Sequence, residues 1–261
     1  MRRFTLWLCL FTFTALVPDG LFGQTQPAAP KPAPAAQQKS SGAKAGASLM
    51  HPETLKAKAR DVYDVKFVTT KGDFVIEVTR AWAPLGADRF YNLVKNHYYD
   101  GASFFRVVPG FVVQFGLTGN PAVNKAWTDA NIKDDPVTQS NLPGSITFAM
   151  AGPNTRTTQV FINFRNNAAL DPQGFAPFGK VTEGMDVVNQ LYSGYADSPT
   201  SHQGEITNQG KAYLDKNFPK LDSIKTATIV SLGAASSAPG AKGTAPAAKT
   251  TAPAAGDKPK P

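Results

Sequence analysis

Phe104-Phe105-Arg106-Val107-Val108-Pro109-Gly110-Phe111-Val112-Val113-Gln114-Phe115-Gly116 is one of the most apolar stretches of the central chain, yet it carries an arginine and a glutamine. A charge placed among such residues is costly unless it is paired. Arg106 therefore has one of two explanations: a structural ion pair with a carboxylate, or a chemical task. If Phe111 to Phe115 is one strand, Phe111, Val113 and Phe115 share one face, and Val112 and Gln114 share the other. Pro109-Gly110 must interrupt the run, because proline cannot donate to a β-ladder, and the break re-aims Phe111 relative to Arg106.

Moving outward, Tyr63, Val65 and Phe67 alternate with Asp64, Lys66 and Val68, which predicts a strand. Thr70-Lys71-Gly72-Asp73 reads as a turn leading into Phe74-Val75-Ile76-Glu77-Val78, so the pair predicts a hairpin. Pro84 opens a predicted helix reaching His97, with Phe90, Leu93 and Val94 on one face. Further strand candidates are 103–115, 145–151, 159–164, 175–181 and 224–230, and a second helix is predicted over 185–192. Many short strands, two helices and Gly/Pro punctuation predict a mainly β domain: a closed barrel with helical caps.

The chain has 261 residues and a formal charge of +8, which invites a nucleic-acid reading until the charge is located. Residues 24–60 carry Lys31, Lys39, Lys44, Lys56, Lys58 and Arg60 against Glu53, and residues 233–261 carry four lysines against Asp257. The stretch 61–232 holds 15 basic and 16 acidic residues, a net of −1. A nearly neutral body has no electrostatic footprint for a phosphate backbone, so no nucleic-acid partner is expected.

The flanks predict a chain that leaves the cytoplasm. Residues 1–23 read as a signal peptide: Arg2-Arg3, an apolar run from Phe4 to Val17, then Pro18-Asp19-Gly20. The run falls short of the roughly 20 residues that span a bilayer, and cleavage near Gly23 is expected, with an uncleaved anchor as the alternative. Cys9, the single cysteine, lies inside this run, so no disulfide framework or cysteine-based zinc site is available. Residues 24–60 read as a Pro/Ala/Lys-rich linker that cannot bury enough apolar surface to order itself. Residues 233–261 repeat every seven positions from Ala238-Pro239 through Ala245-Pro246 and Ala252-Pro253, and proline in each repeat excludes a coiled coil. This tail reads as a disordered spacer; weak association of the basic flanks with an anionic envelope surface is the other reading.

Conventional catalytic signatures fail on inspection. Gly174-Phe-Ala-Pro-Phe-Gly179-Lys180 has phosphate-loop spacing, but Val181 replaces the Ser or Thr that would hold magnesium, and Pro177 removes a backbone donor. No G-x-S-x-G elbow occurs, and His51, His97 and His202 sit in unrelated contexts. Asp134-Asp135, an adjacent pair before Pro136, reads as solvated loop carboxylates.

Three blocks do carry a resemblance. The stretch from Phe105 to Gly116, the stretch Phe148-Ala-Met-Ala-Gly-Pro-Asn-Thr-Arg-Thr-Thr-Gln-Val-Phe-Ile, and the stretch from Gly174 to Met185 resemble, in order and spacing, the cyclophilin family of peptidyl-prolyl isomerases. The resemblance covers 61–232 and implies an eight-stranded antiparallel β-barrel closed by two helices, with the active groove on its outer surface. It implies Arg106 as the catalytic arginine with Gln114 beside it, and Phe111 and Phe161 as the aromatics of a proline pocket. Val112 stands at a usual methionine position in that pocket, and Leu170 at an apolar wall. Ala149 and Met150 match the edge segment that binds substrate through its backbone, and Gln159 the polar residue before the pocket aromatic. Ala169 stands where the family has a frequent tryptophan, and Phe175 where it has a pocket histidine.

The implied activity is isomerisation of X-Pro bonds in proline-containing, unfolded or partly folded polypeptides, without cofactor or metal, by a monomer. Combined with the leader, it places the protein in the periplasm or among secreted proteins, helping exported chains to fold. The alternative function is a non-catalytic proline-peptide binder or holdase using the same groove.

Overall fold

The computed structural model describes residues 48–230. The leader and the C-terminal tail lie outside them, as does most of the stretch read as a linker.

Eight strands form one antiparallel sheet. They are β1 (Val62–Thr69), β2 (Asp73–Thr79), β3 (Arg106–Val108), β4 (Val112–Phe115), β5 (Ser145–Phe148), β6 (Val160–Asn163), β7 (Pro177–Glu183) and β8 (Ile224–Val230). Their spatial order is β3-β4-β6-β5-β7-β2-β1-β8. In β1 the alternation works as expected: Tyr63, Val65, Phe67 and Thr69 are buried while their neighbours are half-exposed. The β1–β2 hairpin pairs Val68 with Asp73, and Phe67 stacks on Phe74 at 4.8 Å between ring centres. Phe90, Tyr99, Phe104, Phe115, Phe148 and Phe178 continue this aromatic core inside the curve of the sheet.

The expected closed barrel is not formed. The edge strands β3 and β8 share no ladder; only an antiparallel bridge between Ser103 and Ser223 joins that side, so the sheet is curled and open. The reason lies in β3, which is three residues long and ends at a proline. Just before it, Phe104 turns into the main core while Phe105 turns outward into a second, smaller cluster. Pro109, which has no amide N–H to donate, ends the strand, and its one ladder is to β4.

Two helices were expected; five lie wholly within the described residues. These are α1 (Pro84–Lys95), α2 (Pro121–Trp127), α3 (Met185–Asn189), α4 (Gln203–Gln209) and α5 (Lys211–Asn217). The unexpected α2, α4 and α5 have seven residues each, too few for a helical period to emerge from sequence. In α1, Pro84 occupies the first turn and Ala83 offers no side-chain cap. The cap comes from far away in sequence: Asp135 accepts from the amides of Leu85 (2.9 Å) and Gly86 (2.8 Å) and pairs with buried Arg156 at 3.1 Å. Asp135 is thus buried and structural, where a solvated carboxylate was expected. Gly179, the second glycine of the phosphate-loop look-alike, sits in β7, where a Cβ would meet the Glu77 carbonyl at 2.5 Å. Strand packing accounts for it.

Residues 48–60, the described end of the linker, lie on the helical side. Leu49 and Ala59 are buried, and the Trp127 indole donates to the Leu49 carbonyl at 2.8 Å. Asn92 bonds the backbone of Ala57 through both its amide nitrogen and its oxygen.

Candidate active site

The strand register builds the site. Arg106 on β3 pairs directly with Gln114 on β4, and Gln114 pairs with Phe161 on β6. The adjacent row, Val107, Val113 and Ile162, is buried in the main core. Because side chains alternate faces, the Arg106–Gln114–Phe161 row projects from the outer surface of the sheet.

Phe111 departs from the simple alternation. It precedes β4 and belongs to the turn after Pro109, with Gly110 at φ 69° and the Phe111 amide donating to the Val108 carbonyl at 3.0 Å. The left-handed glycine swings Phe111 away from the face of Val113 and Phe115 and onto the outer one. There its ring lies 5.5 Å from the Arg106 guanidinium carbon.

A cavity of about 220 Å³ opens against this row. Arg106, Gln114, Phe111, Val112 and Phe161 line it, together with Ala149, Met150, Leu170 and Phe175. Phe175 meets Phe161 edge-on at 5.7 Å. Gln159 lines the neighbouring cavity of about 190 Å³, which shares Gln114, Ala149 and Met150 with the first. All ten sequence-identified residues therefore converge on one surface. Ala169 is exposed and does not line the first cavity; the third ring there, beside Phe111 and Phe161, is that of Phe175. A larger cavity of about 600 Å³ lies between 52–57 and α1, but mixed charges line it and no aromatic does. The smaller one combines a cation, amides and aromatic rings, which suits an apolar ring attached to an amide.

The polar groups form a directed chain. Arg106 Nη1 donates to Gln114 Oε1 (3.2 Å), Gln114 Nε2 to Gln159 Oε1 (2.8 Å), and Gln159 Nε2 to Gln203 Oε1 (3.0 Å). Arginine has donors only, so it sets the orientation of every amide that follows. Gln114 is only 6% exposed, and this chain satisfies both ends of its amide. On its other side, Arg106 Nε donates to Asp197.

A network of asparagines holds the aromatic residues by their backbones. Asn167 Nδ2 donates to the Phe111 carbonyl (3.0 Å) and to Asn163 Oδ1 (2.8 Å). Asn141 Nδ2 donates to the Phe175 carbonyl (2.9 Å) and to Asp171 (2.7 Å). Burial would raise the Asp171 carboxyl, but hydrogen bonds from Ser140 and Asn141 outweigh it and hold Asp171 below the usual aspartate value.

Asp197 and Thr200, between α3 and α4, and Gln203, which opens α4, also reach the site, and no motif of the sequence marks them. A signal existed in Phe105 and Leu117, two large apolar residues bracketing the outer-face row. Both need cover, and Ile206, Leu214 and Phe218 supply it. For the asparagines the signal was weaker: Asn163, Asn166 and Asn167 cluster directly after Phe161.

Residues 64–211 match the family of cyclophilin type peptidyl-prolyl cis-trans isomerases. The chain is 36% identical over 169 residues to a peptidyl-prolyl cis-trans isomerase of Acinetobacter baylyi, covering 62% of this chain and 87% of that one. It is 34% identical over 149 residues to the isomerase cyp18 of Streptomyces antibioticus, covering 53% and 89% respectively. A crystal structure of a Cryptosporidium parvum cyclophilin type isomerase aligns at a TM-score of 0.49 and 20% identity, over 65% of this chain and 98% of that one. Since the family match runs through more than half of its length, this chain belongs to the cyclophilin family and is a peptidyl-prolyl cis-trans isomerase.

Proposed function

We propose that this isomerase acts on proline-containing, partly folded polypeptides after export, with Arg106 as its catalytic residue and Gln114 as the group that orients it. The observation that carries the catalytic part is the outer-face row in which Arg106 Nη1 meets Gln114 beside Phe161. The exported setting rests on the leader-like residues 1–23, and the basic flanks would favour an anionic envelope surface.

The X-Pro bond stays planar through amide resonance, with a rotation barrier of about 18–20 kcal/mol. Halfway through rotation the resonance is lost, and the prolyl nitrogen becomes pyramidal with a free lone pair. A guanidinium aimed at that lone pair stabilises the twisted state more than either planar form, which is the differential binding that catalysis requires. Arginine remains charged at any working pH and presents a rigid fork. Phe111, Phe161, Val112, Leu170 and Phe175 would hold the ring while the acyl side turns. Ala149, Met150 and Gln159 would bind the flanking peptide. Each tenfold acceleration needs about 1.4 kcal/mol of selective stabilisation.

Exchange of a short Ala-Pro peptide, followed with the unaltered protein and with Arg106→Ala, tests this. A loss of at least about a hundredfold is expected, the scale of removing one preorganised donor. Equal rates would rule out the assigned role of Arg106. Peptide binding without any acceleration by the unaltered protein would instead favour the holdase reading.

A further inference from the structure

The segment from Tyr192 to Asp222 is unused by the reading above, yet it is built against the catalytic strands. Ile206 on α4, Leu214 on α5 and Phe218 bury themselves on Phe105 and Leu117, the residues preceding β3 and following β4. Tyr195 joins this cluster, meeting Tyr192 at 5.1 Å and Phe218 at 5.2 Å between ring centres. From that anchor the chain crosses the rim of the 220 Å³ cavity through Asp197 and Thr200 to Gln203.

The backbone at the crossing is held on both sides. Ala196 adopts φ 44°, a left-handed conformation that an alanine adopts only when its surroundings enforce it. Its amide donates to the Ser193 carbonyl (3.0 Å), the Ser198 amide to the Tyr195 carbonyl (2.9 Å), and the Thr200 amide to the Asp197 carbonyl (2.9 Å). Asp197 thus presents its carboxylate from a fixed turn, although the side chain is 59% exposed.

The carboxylate takes the Nε–H of Arg106, while Gln114 takes an Nη1–H and the Phe111 ring lies beneath the guanidinium. Among the described residues no hydrogen bond engages Nη2, so the end of the fork stays available to a substrate. A guanidinium on a flexible stem would otherwise need Gln114 and one ring face alone to hold its direction, and a charge-assisted bond at Nε removes the remaining swing.

We propose that Asp197 is a positioning residue for the isomerisation, fixing the Arg106 guanidinium from an accessory α4–α5 lobe that docks on Phe105 and Leu117. The proposal rests on Arg106 being the catalytic residue. Asp197 touches Arg106 and need not touch the prolyl peptide, so its contribution falls on kcat. Its negative charge opposes the arginine's pull on the prolyl lone pair, and its fixing of the guanidinium works in the other direction. The fixed turn and the unengaged Nη2 argue for orientation as the larger effect.

The full chain carrying Asp197→Ala, Asp197→Asn or Arg106→Ala separates the possibilities in Ala-Pro peptide exchange. Asp197→Ala is expected to lower kcat about tenfold, the effect of losing one charge-assisted hydrogen bond, with KM and thermal midpoint unchanged. Asp197→Asn keeps an acceptor oxygen and is expected to recover most of that loss. In the Arg106→Ala background, Asp197→Ala should change nothing further. A kcat for Asp197→Ala equal to or above that of the unaltered protein overturns the positioning role. If Arg106→Ala is slow while Asp197→Ala is normal, only this inference fails. If Arg106→Ala is itself normal, the catalytic reading fails and this one with it.

Discussion

Arg106 and Gln114 stand directly opposite each other across the β3–β4 ladder, and Nη1 of the first donates to Oε1 of the second at 3.2 Å. A cross-strand pair is among the most rigid relationships a small domain offers, because both backbones are pinned by the same ladder. Here it aims a cation along the outer face of a sheet whose inner face is packed with aromatic rings.

Gln114→Ala removes the group that joins Arg106 to Gln159. Its kcat/KM is expected to fall about tenfold, close to 1.4 kcal/mol of transition-state stabilisation. Peptide exchange with thermal melting as a control checks it; an unchanged rate would remove Gln114 from the machinery.

Phe175→Ala opens one aromatic side of the cavity while leaving the Arg106–Gln114 pair untouched. KM for an Ala-Pro peptide should rise about five- to tenfold with kcat nearly constant, since the ring contributes binding shared by ground and transition states. Titration of rates against peptide concentration separates the two constants.

Asp135→Ala is expected to destabilise the fold by about 2–3 kcal/mol, because it uncaps α1 and leaves the buried Arg156 guanidinium to Asp134 and the Lys133 carbonyl alone. Arg156 is 2% exposed, and Asp135 also accepts from the Leu85 and Gly86 amides. Urea unfolding measures the cost; a loss below about 1 kcal/mol would show that the pair is not structural.

Acid should weaken the protein through Asp171 and Asp88. In each, burial pushes the carboxyl up, but hydrogen bonds outweigh it and the net direction is down: Ser140 and Asn141 for Asp171, Arg80 and the Ala59 amide for Asp88. A carboxyl whose folded value lies below its unfolded one binds protons more readily when unfolded. Its stabilisation is therefore complete above the unfolded value and lost as pH falls through the folded one. The melting temperature should hold down to about pH 5 and drop below about pH 4. The Asp88→Asn, Asp171→Asn double variant should start lower at neutral pH and lose less on acidification. An equal loss for both proteins would assign the acid sensitivity elsewhere.

Local pattern was sufficient wherever a residue's role depends on its neighbours in sequence. Alternation exposed β1, the turn after it pointed to β2 as its hairpin partner, the Pro109-Gly110 break separated β3 from β4, and Pro84 marked the start of α1. The out-of-place Arg106 and Gln114, with the aromatics that follow them in three blocks, carried the pocket and the family. Those features are periodic or contiguous, so one strand's worth of sequence contains them. Only the tertiary structure could decide the rest. Asp197 reaches Arg106 across 91 positions and Asp135 caps α1 from 50 away, and neither lies in a pattern that distinguishes it from a solvated carboxylate. Likewise, whether the sheet closes depends on where the edges at β3 and β8 arrive, and here an antiparallel bridge between Ser103 and Ser223 stands where a ladder would be needed. Sequence determines which side chains a strand presents; which partner meets them is set by long-range packing, and packing has no local signature.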